Sequence, residues 1–424
     1  MTTKTVTNHK AMLSLCILSI LLLLLMPLTT IANNKIRISS KLRLPEKLSI
    51  TDHLPQELVS NILSRLPAKE LWRCKFVCKS WFHLINDPNF VTNYYVVYNN
   101  SNHNHSHLLL IQRPSLSSNK TFISVLSCNN ATGSVSSQTL NLPCEYNSDH
   151  KYWTEIMGPC NGIYFLEGNP NMMMNPSLGQ FKALPESHFT TPIGTNSLSD
   201  YAGFGFDSKA NDYKVVVIKD LWNRETDQRR LWCWTAELFS LNSNSWRKLD
   251  APLPSPIEIS ASSRVYTYEN NCCHWLGYVE DEFGKRKDVV LSFDMVNEAF
   301  RKINVPRVCK SSIASFATLV PFEESASIGV VVRGKEKRYD VWMMKDYWDE
   351  ESWVKLYSVG HVEVISRLVG FYKSNQLLWK GNDERLVMYE RDSQQVKDLH
   401  VYVKNDSLRA ARYMETLVSL QRGH

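Results

Sequence analysis

Three groups of side chains in this 424-residue chain are of types that could do chemistry. His103, His105 and His107 alternate. An extended strand would put their imidazoles on one face, where a metal could gather them. The Asn, His and Ser around them fit a solvated loop better. Cys272, Cys273 and His274 combine thiols with an imidazole, but neighbours along a strand point to opposite faces, which favours burial over ligation. Asp349, Glu350 and Glu351 offer paired carboxylates, yet the stretch is turn-like and has no general-acid setting, so it reads as solvated charge.

The wider inventory is equally bare. The ten cysteines are dispersed and no Cys-x-x-Cys pair occurs, which excludes a zinc ribbon and a thioredoxin-type motif. Most read as small buried hydrophobes suited to a reducing compartment. Gly203-Phe204-Gly205 opens no G-x-G-x-x-G, and a P-loop, a G-x-S-x-G elbow and an H-E-x-x-H are absent, so nucleotide, acyl-transfer and zinc-hydrolase signatures are missing. The sequence assigns no reaction, catalytic residue, cofactor or metal to the chain.

The elements must then explain themselves by binding rather than catalysis. With 43% hydrophobic residues, 21% charged and 12 Trp, the chain is neither disordered nor collagen-like nor a coiled coil. A single long apolar run excludes a polytopic membrane protein. The net charge is +6, but residues 1–53 hold seven Lys/Arg against two acids, a net of +5. The remainder, at +1, gives no reason to expect a nucleic-acid partner.

Residues 1–32 contain the apolar run Ala11 to Met26, preceded by Lys4 and Lys10 and followed by Pro27 and Thr30-Ile31-Ala32. This pattern reads as a signal peptide, as a short membrane anchor if extended to Ala32, or as an upstream extension of the gene model. Membrane contact is expected only through residues 11–32. Residues 33–51 read as a basic linker.

Residues 52–92 change character. Leu58, Val59, Ile62, Leu63 and Leu66 recur at helical spacing behind Pro55. Pro67 stops that helix and restarts another, carrying Leu71, Lys75 and Val77. A third short helix, Cys78 to Ile85, surrounds Trp81 and ends at Asn86-Asp87-Pro88. Three helices of this size cannot bury all their apolar side chains within themselves, and the excess marks a helix-on-helix partner site.

The stretch resembles the F-box: L-P-x-E-L, I-L-x-R-L-P, K-x-L-x-R-x-K-x-V-C-K-S-W and L-I-x-D-P-x-F stand in order from Leu54 through Phe90. The resemblance implies docking to the Skp-type adaptor of a cullin–RING ubiquitin ligase core. It points to Leu54, Pro55, Ile62, Leu63, Leu66, Pro67, Val77, Cys78 and Trp81, some of which must instead form the domain's own small core.

Residues 93–403 read as short strands between Gly, Pro, Asn, Asp and Ser clusters: His107–Ile111, Thr121–Val125, Tyr213–Ile218, Thr235–Ser240, Val289–Phe293, Ile328–Val332, Tyr339–Met344, Gln376–Leu378 and Leu386–Tyr389. A strand–turn–strand unit recurs at 236–249, 291–303 and 387–399, and with a longer turn at 340–356. Self-similar units at intervals of roughly 45 to 55 residues indicate a propeller. Trp246, Phe300 and Trp353, which start second strands, then read as wedges between blades. The expected fold is α+β and multidomain: a small three-helix F-box, then a large all-β, propeller-like and kelch-related domain. Residues 404–424 read as a C-terminal tail.

The β region resembles the plant F-box-associated domain and, within it, the S-locus F-box and S-locus-F-box-like group. The phrases are Gly158-Pro159-Cys160-Asn161-Gly162-Ile163, Asn175-Pro176-Ser177, Phe181-Lys182-Ala183-Leu184-Pro185, Gly203-Phe204-Gly205-Phe206-Asp207 and Asn211-Asp212-Tyr213-Lys214-Val215-Val216. Cys273-His274-Trp275, residues 340–345 and residues 413–420 continue the match. The resemblance implies a substrate-recognition subunit, cytoplasmic or nuclear, that holds a target protein for ubiquitination. For the S-locus group the target class is a stylar ribonuclease. Target specificity would sit in loops, with Phe189–Ser199, Asp220–Arg230, Ile257–Arg264 and Glu280–Lys287 as candidates. The other reading is a secreted or membrane-anchored β-propeller binding protein with no ligase role, in line with the apolar N-terminus and sequons at Asn99, Asn104, Asn119, Asn130 and Asn405.

Overall fold

The computed structural model describes residues 55–101, 108–114, 121–128, 135–143, 156–189, 195–223, 233–252, 254, 257–259, 266–267, 271–306, 317–322, 327–333, 338–360, 365–373, 375–402 and 409–421. They fall into two compact units, one of residues up to Asn102 together with Glu415–Leu417, the other of the remaining residues.

The first unit is helical. Pro55 caps α1 (Gln56–Leu63), and Pro67 caps α2 (Ala68–Cys74); each lends its carbonyl to the first turn while its missing N–H costs nothing there. α3 (Lys79–Asn86) follows an extended Cys78. The sequence reading ended the helices at Asn86-Asp87-Pro88, but a fourth, α4 (Pro88–Ser101), begins there. Asp87 Oδ1 accepts the amides of Asn89 at 2.8 Å and Phe90 at 3.2 Å. An Asp cap followed by Pro is a start signal as much as a stop. Val59, Leu63, Ala68, Leu71, Cys74, Ile85, Phe90 and Tyr94 form the buried core of this unit.

The second unit is all β, in six antiparallel sheets. The first holds β1 (Leu108–Pro114), β2 (Thr121–Cys128) and β3 (Val135–Leu140). The second is β4 (Ile156–Cys160), β5 (Ile163–Leu166), β6 (Met172–Asn175) and β7 (Gln180–Ala183), and the third is β8 (Thr195–Asp207), β9 (Asp212–Asn223), β10 (Cys233–Ser240) and β11 (Ser245–Leu249). The fourth has β12 (Glu258–Ile259) and β13 (Tyr266–Thr267) beside β14 (Cys272–Glu280), then β15 (Arg286–Asp294) and β16 (Ala299–Asn304). The fifth is β17 (Ala317–Phe322), β18 (Ser327–Arg333), β19 (Tyr339–Met344) and β20 (Trp353–Val359). The sixth is β21 (Ile365–Lys373), β22 (Gln376–Gly381), β23 (Arg385–Glu390) and β24 (Gln395–Tyr402).

Each sheet is one blade of a propeller. Apolar clusters join every consecutive pair of blades, and one joins the sixth to the first. β25 (Arg409–Arg412) pairs with β1 and completes the first blade. Residues 404–424 are therefore not simply a tail: part of the segment is the strand that closes the ring. Radial repetition of short blades leaves only short, protected sheet edges.

The nine strands named from the sequence lie on strands of the fold, apart from His107 at the start of the first, which is outside the described residues. The repeat is legible in atoms. Four-residue turns join β8 to β9, β10 to β11, β15 to β16 and β23 to β24. Each ends on a residue with φ near +50°: Asn211, Asn244, Glu298 and Gln394.

Candidate functional site

The helical unit carries the expected adaptor contacts in three different settings. Pro55, Pro67 and Val77 are exposed, whereas Ile62, Leu66, Cys78 and Trp81 are half-buried. Leu63 is fully buried in the unit's own core. Leu54 lies outside the described residues. The structure adds three side chains that the sequence does not single out for the contact, Leu58 at 48% exposed, Phe76 at 58% and Phe82 at 49%, beside the expected Val77 at 39%. Leu58 and Val59 are neighbours about 100° apart on α1, and only Val59 turns inward. So many large apolar side chains left in water on under thirty residues mark a surface built to be covered.

Beneath that surface, polar groups fix the helices. The Lys75 ammonium stands 3.4 Å over the Trp72 ring and donates to Asn86 Oδ1 at 2.7 Å; burial lowers it to about 8. Glu415 Oε2 accepts the Ala68 amide at the start of α2 at 2.7 Å. Tyr94 Oη is 3.2 Å from the same oxygen and 3.0 Å from Leu66 O, so its single hydrogen serves one acceptor at a time. Burial holds the Glu415 carboxyl above its usual range, against the hydrogen bonds from Ala68 and Tyr94.

In the propeller, the quoted phrases turn out to be joints. Asn161 and Gly162, both at positive φ, form the two-residue turn between β4 and β5. Asn175 accepts from the Leu178 amide and donates to Val418 O at 2.7 Å. Gly203 lies so close to the next blade that a Cβ there would sit 2.6 Å from Cys273 Sγ and from the Trp275 ring. Asp207 accepts the Lys209 and Ala210 amides of its turn, each at 2.9 Å. Lys214 Nζ, on β9, reaches Asp207 Oδ2 at 2.6 Å and, in the next blade, Glu298 Oε1 and Met295 O at 2.9 Å. Glu298 also pairs with Arg247. Burial opposes ionisation at Asp207 and Glu298, but the Lys214 hydrogen bond, joined at Glu298 by that of Arg247, holds both carboxyls below their usual values.

The three wedges behave as a set. Trp246 Nε1 donates to Pro185 O at 2.7 Å and Trp353 Nε1 to Asn304 O at 3.1 Å, each to the carbonyl leaving the preceding blade. Phe300 packs on the cluster shared by the third and fourth blades.

The groups that could have done chemistry are part of this architecture. Cys272 and Cys273 are buried, and burial pushes the Cys272 thiol up to about 11 and Cys273 well above its usual value. Cys273 meets Gly203, while His274 Nε2, on the other face, lies 2.5 Å from Tyr347 Oη. Asp349 caps a short 3₁₀ turn by accepting the Glu351 amide at 2.9 Å. Glu350 accepts from Asn304 N at 2.9 Å and Nδ2 at 2.7 Å, so it ties two blades rather than standing free in solvent. His103, His105, His107 and the apolar run at 11–26 lie outside the described residues. Among those described, no helix is long and apolar enough to cross a membrane.

Strand register relates the described strand ends that bound the candidate target-facing loops. Thr195 pairs with Asn223, which puts the start of β8 beside the end of β9. Leu249 pairs with Ala236, near the start of β10, so the exit of the third blade lies there too. Glu258 pairs with Tyr278, which brings that exit to the β14–β15 turn. Parts of Phe189–Ser199, Asp220–Arg230 and Ile257–Arg264 lie outside the described residues; Glu280–Lys287 is described throughout.

Comparison with known proteins agrees with the two-unit division. Residues 52–93 match the F-box domain and residues 114–416 the F-box associated beta propeller domain. The chain is similar to F-box protein CPR1 of Arabidopsis thaliana, 24% identical over 86% of this chain and 88% of that protein. It is also similar to an F-box/kelch-repeat protein of the same plant, 24% identical over 72% of this chain and 79% of the relative.

Proposed function

Because the chain belongs to the F-box-associated β-propeller family, we propose that it is a substrate-recognition subunit of an SCF-type cullin–RING ubiquitin ligase. The helical unit docks on the Skp-type adaptor, in the cytoplasm or nucleus, and the propeller holds a target protein. The observation that carries this reading is the exposed apolar set Leu58, Phe76, Val77 and Phe82 on a segment that matches the F-box. Pro55, Ile62, Leu66, Pro67, Cys78 and Trp81, with Leu54 before them, border that set in sequence and complete the proposed contact. Leu63 supports it from the core.

In this role the chain needs no catalytic group of its own. Tethering a target beside a ubiquitin-charged enzyme raises its effective concentration to the millimolar range without new chemistry. A stylar ribonuclease is the target class suggested by the S-locus-like phrases, and direct binding of a purified stylar ribonuclease tests that finer point. The role itself is tested by co-purifying the adaptor with the full chain and with a Leu54→Ala/Pro55→Ala variant. Adaptor with the parent chain alone supports the reading; no adaptor with either sinks it.

A further inference from the structure

Phe283 is 93% exposed, far beyond any other large apolar side chain among the described residues. It stands at the tip of the β14–β15 hairpin, and that tip is not loose. Asp281 Oδ1 accepts the amides of Phe283 at 3.1 Å and Lys285 at 2.9 Å. Asp281 N donates to Lys285 O at 3.0 Å, and Gly284 N donates to Asp281 O at 2.8 Å. Gly284 takes φ +73°, a conformation that a side chain would strain. The stem is clasped as well: Arg286 lies 4.2 Å over the Tyr278 ring and its Nε is 3.1 Å from Glu280 Oε1. A fixed backbone thus holds an aromatic ring out in water.

We propose that this hairpin tip is a docking point for the target protein, with Phe283 entering an apolar pocket of that protein as the anchor of the contact. The inference rests on the substrate-receptor reading above and names where on the propeller the target sits. A ring presented by an already ordered turn loses little further freedom on binding, the situation in which aromatic anchors dominate interface energetics.

The chemistry of the hairpin selects the occupant. Residues 280–287 hold three acids and three bases, a net charge of zero, so an anionic membrane surface exerts no net pull on them. Arg286 pairs with Glu280, and Lys287 Nζ is 3.9 Å from Asp281 Oδ2. That leaves Glu282 and Lys285 as the charges on either side of the ring. A complementary site is a concave apolar pocket whose rim carries one basic and one acidic group, which is a feature of a folded protein. The pairing of Glu258 with Tyr278 sets β12 beside the stem of the hairpin, so a protein seated on Phe283 can reach that strand too.

The test uses the full chain in complex with the adaptor, with a photoreactive benzoylphenylalanine in place of Phe283, irradiated in extract of the tissue that expresses it. The crosslinked polypeptide is identified by mass, purified, and titrated against the parent complex, Phe283→Ala and Phe283→Leu. The proposal expects a distinct folded protein as the crosslink, bound about 30-fold or more weakly by Phe283→Ala and much less affected by Phe283→Leu. It is overturned by a crosslink to a second copy of this chain or to lipid, by no crosslink, or by unchanged affinity of Phe283→Ala. Adaptor co-purification, measured on the same samples, separates failure of this proposal from failure of the receptor reading: the variants must retain the adaptor.

Discussion

Glu415 Oε2 lies 2.7 Å from the Ala68 amide, so a carboxyl near the C-terminus caps a helix 347 positions earlier in the chain. Glu415 also exchanges backbone contacts with Asn99, whose Nδ2 donates to Glu415 O at 3.0 Å and whose Oδ1 accepts the Glu415 amide at 3.1 Å. α2 has no side-chain cap of its own because Pro67 stands at that position. The helical unit is therefore completed by residues from the far end of the sequence.

Glu415→Ala leaves the buried Ala68 N–H without an acceptor and is expected to cost about 1–3 kcal/mol. Glu415→Gln keeps an acceptor oxygen and loses much less. A carboxyl held above its usual value adds stability at low pH and loses it as pH rises through the folded pKa. The stability of the Gln variant relative to the native Glu therefore rises toward neutral pH. Hydrogen exchange at the Ala68 amide, followed against pH for the three proteins, checks both points.

Lys214→Met strands Asp207 and Glu298 without their shared cation, and breaking such a buried pair costs about 3–5 kcal/mol. Both carboxyls are held below their usual values, so their contribution is present above pH about 4.5 and lost as acid protonates them through their folded pKa values. Chemical denaturation at pH 7 and pH 3 should show a large deficit for the variant at pH 7 and a small one at pH 3.

Asp220 is buried, its Oδ1 has no hydrogen-bond partner among the described residues, and burial with Glu258 nearby holds its carboxyl above the usual 3.8. Its stability contribution is present below pH 3.8 and lost as pH climbs through the raised value. Asp220→Asn is expected to gain stability at pH 7 and none at pH 3. Thermal melting at the two pH values measures the difference.

Gly203→Ala drives a methyl to within 2.6 Å of Cys273 Sγ and the Trp275 ring. The ring is fully buried and its Nε1 is tied to Ala202 O at 3.1 Å, so it cannot easily yield. Overpacking of this kind costs about 1–3 kcal/mol. Near-ultraviolet circular dichroism should lose Trp signal in proportion.

What was legible in the sequence was whatever is local. The alternation before Asn242 and Asn297, followed by an aromatic, announced strand, turn and wedge, because residues in direct succession dictate them. β25 was not legible: Arg409-Ala410-Ala411-Arg412 is short and weakly apolar, and only its pairing with β1 makes it a strand. α4 departs from the sequence expectation because Asp87-Pro88 is a helix start as well as a helix end. The F-box pattern located the proposed docking segment but could not sort its faces. Residue type does not distinguish a Leu58 left in water from a Leu63 sealed in the core; packing does. Glu415 carried no signal, since its partner lies at the other end of the chain.

The most direct test of the central claim is titration of a purified Skp-type adaptor into the full chain, set against a Phe76→Asp/Val77→Asp variant whose melting is unchanged. The account predicts saturable one-to-one binding that the variant loses by about 100-fold or more, since a charge would be buried in an apolar contact. Absence of binding to the native chain, or equal affinity of the two proteins, would contradict it.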